Sequence, residues 1–145
     1  MVDALKRTRR LLKPGGRLVD IHPTAEPAHV EVGTTDRFIL VGDLFEPDET
    51  SGPRRRHADA DAAVATVVAD QLFSVNAARR FSFRRYADTV DELSDSVKGK
   101  WKGAYLTPET LRRASHELSA TPGAMVWLRE EVGIAKLAPS PERRI

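Results

Sequence analysis

The sequence predicts one α/β domain, a sheet flanked by helices and enlarged by a β-hairpin insertion, and three observations carry that expectation. An amphipathic run ends in Pro14-Gly15-Gly16 and passes at once into a short apolar strand. Two β-branched runs flank Gly33-Thr34-Thr35-Asp36. Between residues 57 and 137, helical and alternating periods follow one another. With 145 residues, 30% charged and 41% apolar, the chain has the composition of a folded protein and the length of one core.

In the first dozen residues Val2, Leu5 and Leu12 fall on one side of a 3.6-residue period and Lys6, Arg7, Arg10 and Lys13 on the other, so a helix begins the chain. Pro14 ends it, because proline lacks the N–H that would continue the ladder, and the two glycines tolerate the positive φ that reverses direction. Arg17 to Ile21 then reads as a strand, apolar at Leu18, Val19 and Ile21. His22-Pro23-Thr24-Ala25-Glu26-Pro27 is a loop leaving its end. Val30–Val32 and Arg37–Val41 form the hairpin, and residues 46–56, rich in charge, Pro and Gly, read as a mobile loop.

Ala60, Ala63, Val64, Val67 and Val68 place a helix from about His57 to Phe73, and Phe81–Tyr86 alternates as a strand. Thr89 and Glu92 make a reciprocal capping box that opens a helix with Leu93 and Val97 inward. Gly99 and Gly103 bracket the next turn. Thr107-Pro108 starts a further helix whose inward residues are Leu111, Ala114 and Leu118. From Ala124 to about Leu137 a last strand alternates Val126 and Leu128 with Met125, Trp127 and Arg129, with a break expected near Gly133. The domain thus spans residues 1–137, and residues 138–145 form a frayed tail.

Composition also excludes. The absence of cysteine removes disulfides, thiolate zinc sites and cysteine catalysis. A formal charge of only +2 leaves no broad basic field. The Arg clusters at 54–56, 79–80, 84–85 and 112–113 are interspersed with acids and match no nucleic-acid recognition motif, so no nucleic-acid partner is expected. No apolar run approaches the ~20 residues of a membrane span, and the amino terminus has no apolar leader, so no membrane partner and a cytoplasmic location are expected.

Leu11-Leu12-Lys13-Pro14-Gly15-Gly16-Arg17-Leu18-Val19-Asp20-Ile21 resembles, position for position, the segment of class I S-adenosylmethionine-dependent methyltransferases that ends the fourth crossover helix and begins the fifth strand. The resemblance implies a partial Rossmann-like methyltransferase sheet. Arg17–Ile21 would be its fifth strand, Phe81–Tyr86 its sixth, and Ala124 onward its antiparallel seventh, lying between them. It covers the chain only as the carboxy-terminal half of such an enzyme. The family's glycine-rich turn and ribose-binding acid are missing: no Gly-x-Gly occurs, so no cofactor-binding residue is assigned and S-adenosylmethionine is expected only if the missing half is supplied. The edge along Leu18, Val19 and Ile21, which the fourth strand would cover, should then attract a homodimer partner or a separately encoded amino-terminal half. The alternative is a non-enzymatic dimerisation or small-ligand-binding domain derived from the same fold.

Ligands of open α/β sheets lie outside the carboxyl ends of parallel strands, where Asp20 and His22 are expected. A pocket there would use His22 as general base and Asp20, Tyr86, Asp88 and Trp127 to hold a substrate; capping of strand ends explains His22 and Tyr86 equally well. Lys100-Trp101-Lys102 with Tyr105 is either an aromatic–cationic lip, with Trp101 on the ligand, or a connection whose Trp plugs the core. His57, Asp59 and Asp61 sit at a helix start, where acids complement the dipole, and no metal site is assigned to them.

Overall fold

A computed structural model describes residues 1–46 and 52–141, a mixed α/β fold with four helices and one six-stranded sheet. In chain order the elements are α1 (Val2–Leu11), β1 (Leu18–Pro23), β2 (His29–Gly33), β3 (Phe38–Phe45), α2 (Pro53–Ala69), β4 (Phe73–Ala87), α3 (Val90–Lys100), β5 (Tyr105–Leu106), α4 (Pro108–Ala120) and β6 (Met125–Pro139). Gly15, at φ +77, makes the turn between α1 and β1. Thr89 and Thr107 cap α3 and α4 by accepting from the N–H of Glu92 and Thr110, and Glu92 reaches back to the Asp88 N–H.

The sheet is built on β6. One side of this 15-residue strand is paired along its length with β4; the other side is shared by β1, opposite residues 132–137, and β2, opposite residues 125–129. The hairpin β2–β3 carries the sheet outward to β5. Every pairing is antiparallel, so β1 and β4, both antiparallel to β6, run parallel to each other with β6 between them, the order expected of these three strands.

Strand alternation divides the sheet residues between two faces. On one face Val30, Val32, Val126, Leu128 and Ala87 join Val90, Leu93 and Val97 of α3 and Ala114 of α4 in the larger core. On the other, at the far end, Leu137 and Phe73 join Val67 of α2, with Val2, Leu5 and Leu12 of the α1 region, in a smaller one. Each helix pair therefore covers one half of one face, diagonally opposite the other.

Several expectations are corrected. The helix expected from about His57 starts at Pro53, because proline is favoured in a first turn and the three arginines continue the helix; of the loop expected at 46–56, residues 47–51 lie outside the described residues. Phe73 does not end that helix but opens β4, eight residues before the predicted strand, with an irregularity between Val75 and Ala77 that restores the register. β6 runs unbroken through Gly133, held on both sides by His22 and Arg80. Ala138 and Pro139 are not frayed but pair with Ser74 and Phe73; residues 142–145 lie outside the described residues. Among the described residues no helix is long and apolar enough to cross a membrane.

Candidate functional site

Asp20 and His22, two apart on β1, point to the same face, and α2 lies over that face with Asp61 in its third turn. The three meet. His22 Nε2 is 2.9 Å from Asp61 Oδ1, and Nδ1 is 3.0 Å from Asp20 Oδ2. Beyond them a cleft of ≈ 590 Å³ continues between α2 and the sheet, lined by Val64, Val68, Val75, Ala78 and Ala135 over Gly133. At its rim Arg80 donates to Glu26 at 2.7 Å.

Only Nε2 makes a hydrogen bond here; Nδ1 is buried beside Asp20 without a hydrogen-bond partner, so the ring is held from one side. In this arrangement His22 ties β1 to α2, and a base acting from Nε2 must first release Asp61. Asp61 is the residue half exposed and able to move. His57, at the start of α2, stands in the same electrostatic neighbourhood. Burial, with nearby His22, holds it below the ordinary histidine value against the pull of Glu130 and Glu46.

The other expected residues do not join this cluster. Tyr86 and Trp127 are cross-strand neighbours with rings 5.3 Å apart, on the same face as His22 but opposite a position six residues along β6, about 20 Å away. Phe38 meets Trp127 edge-on, and the indole Nε1 donates to the Gly33 carbonyl at 3.0 Å. Asp88 lies at the start of α3, its N–H taken by Glu92. Trp101 is on the opposite face altogether, partly buried against the larger core, with the Arg85 guanidinium 4.4 Å from its ring centroid. Tyr105, meant to complete its lip, pairs instead with Phe45. The pocket expected of Asp20, His22, Tyr86, Asp88 and Trp127 is therefore not assembled, because β1 ends six positions short of β4 along β6, and Trp101, expected on a separate lip, lies on the other face.

One constellation was not foreseen. On the face of Tyr86 and Trp127, Glu31 accepts from Arg84 Nε at 3.0 Å and Arg129 Nε at 2.7 Å; Arg129 also reaches Glu131, which accepts from Ser82. Burial opposes the charge of Arg129, but its bonds to Glu31 and Glu131 raise its pKa above the ordinary value. The Ser82 hydroxyl, ahead of Arg129 and against burial, lowers that of Glu131. The signal was present in the sequence as opposite charges within three strands, but it becomes a pairing only when the register is known. Among the described residues no group of three or more His, Asp or Glu side chains is arranged to hold a metal ion.

No protein-family model, curated protein or solved structure matches the chain.

Proposed function

We propose that these 145 residues are the carboxy-terminal, substrate-side half of a methyltransferase-like domain, dependent on a second polypeptide segment to hold the methyl donor. The observation that carries this reading is the arrangement of β6 between β1 and β4, antiparallel to both, with β1 preceded by the α1–Pro14-Gly15-Gly16 turn and the β1-to-β4 connection passing through α2. That arrangement, together with the resemblance of Leu11–Ile21, is what the carboxy-terminal half of such a sheet requires. Methyl transfer from a sulfonium depends mainly on holding donor and acceptor in line, and a chain without Gly-x-Gly has no turn of its own for the donor. Within the half-domain the cleft of Asp20, His22 and Asp61 is the place for an acceptor, its apolar walls taking the body of the ligand. The same cleft supports a second reading, a non-enzymatic small-ligand-binding domain on the same frame.

The test is calorimetric titration with S-adenosylmethionine and S-adenosylhomocysteine, first of the chain alone with its mass in solution, then of the chain co-expressed with a separate amino-terminal segment that carries a glycine-rich turn. The expected result is silence alone and micromolar binding in the second sample. Binding by the chain alone overturns the dependence on a second segment. Silence in both overturns the methyltransferase-like reading and leaves the small-ligand domain.

A further inference from the structure

The diagonal placement of the helices leaves two half-faces of the sheet uncovered, and only the one at the β2 end is laced with ion pairs among its apolar side chains. The half-face at the β2 end carries the lattice of Glu31, Arg84, Arg129, Glu131 and Ser82, whose ion pairs are interleaved with Leu40, Tyr86 and Trp127. The half-face at the β1 end carries Val19 and Ile21 of β1, Ile134 and Val132 of β6, and Phe81 and Phe83 of β4, which register and alternation set in a diagonal band across the three strands. Val19, Ile21, Phe81 and Phe83 are 53, 57, 45 and 48% exposed. These four exposed apolar side chains, two on each outer strand and bridged by Ile134 and Val132 of β6, form a patch of the kind that marks an interaction surface. It adjoins a free edge, since among the described residues β1 pairs with β6 alone.

The dimensions and charge of the patch specify what covers it. Two inter-strand spacings separate β1 from β4, about 10 Å, which is the diameter of one α-helix. From Lys136 to Glu130 the patch runs six residues, about 20 Å, or the rise of some 13 helical residues, about 3.6 turns. Arg79 and Lys136 share this face and have no carboxylate partner among the described residues, and its one acid, Glu130, is bound by Arg85. A second copy laid face to face with its strands in the same direction would bring these cations together, whereas acidic flanks on a helix meet them in either direction.

We propose that the half-face of Val19, Ile21, Phe81 and Phe83 is a docking surface for a partner protein that lays one amphipathic helix on it, its stripe apolar and its flanks acidic. The proposal rests on the half-domain reading, which it deepens by giving the missing segment its chemistry.

The test uses two synthetic helical peptides of equal length with the same leucine stripe, one flanked by Glu and one by Lys, titrated by fluorescence anisotropy against the full chain. The Glu-flanked peptide is expected to bind, and the Lys-flanked one about tenfold or more weakly. Ile21→Ser and Phe81→Ser, both at exposed positions, should abolish binding at unchanged melting temperature, and the double change Arg79→Glu, Lys136→Glu should invert the preference between peptides. Val75→Ser, exposed on the opposite face, should change nothing. Equal binding of both peptides, no binding, or indifference to Ile21→Ser overturns the proposal. So does a dimer in solution that Ile21→Ser dissociates, which would give the face to a second copy, or sedimentation with vesicles containing phosphatidylserine that the Arg79→Glu, Lys136→Glu chain loses, which would give it to lipid. None of these outcomes depends on S-adenosylmethionine, so failure here and failure of the methyltransferase-like reading are separately visible.

Discussion

Glu31 is the residue at which an apolar strand is interrupted for a reason. Val30 and Val32 on either side are fully buried toward α3 and α4, and Glu31 points to the other face, where it is only 6% exposed between two guanidiniums. Removing Glu31 leaves Arg84 without its carboxylate and Arg129 with Glu131 alone, so Glu31→Ala should lower stability to chemical denaturation by about 1–3 kcal/mol. Glu31→Gln, which keeps an acceptor, should lose less. Equal stability of all three chains would show that the lattice contributes nothing to the fold. At this scale the sequence was partly legible. In sequence Asp20 and His22 read as the end of a strand and the loop leaving it; β1 instead continues through Pro23, which puts both on one face. Asp61, 39 residues beyond His22, was visible only as an acid near a helix start, because nothing local tells a carboxylate which strand its helix will cross.

At the scale of elements, packing of α4 on the hairpin depends on an absent side chain. A Cβ on Gly42 of β3 would lie 2.3 Å from Thr110 Oγ1, in the first turn of α4. Gly42→Ala should therefore push α4 from the sheet at a cost of about 1–3 kcal/mol, read as a lower melting temperature. Gly99→Ala in α3 meets nothing within 4 Å and should be neutral or gain up to about 1 kcal/mol from helix propensity. If the two changes act alike, the close approach is not limiting. Elements announced by local chemistry were the legible ones: the Pro14-Gly15-Gly16 turn, the capping box of Thr89 and Glu92, the Thr107-Pro108 start. Their lengths were less so. Asn76-Ala77-Ala78-Arg79-Arg80 has no alternation of its own and becomes strand because β6 is there to pair with it; Gly133 looks like a breaker, yet strands on both sides hold it in line.

For the whole molecule, the diagonal cores have unequal strength. The core under α3 and α4 contains fourteen buried residues, whereas that under α1 and α2 contains three, and α1 has no buried residue at all and no side-chain cap. Apolar burial is the main favourable term in folding, so the two ends should open with different free energies although β4 and β6 run through both. Native-state hydrogen exchange is the measurement. Amides of α1, β1 and the Phe73–Arg79 part of β4 should exchange through a low-energy opening, while those of β2, β3 and the Arg84–Ala87 part exchange only by global unfolding. The weakly held end is also the one with the free edge and the bare apolar face. A bound acidic-flanked helix should accordingly raise protection in β1 and the first half of β4 and leave β2 and β3 unchanged. Uniform protection along β4 in the free chain would mean that the two cores unfold as one, and that docking at the β1 end stabilises the whole sheet together.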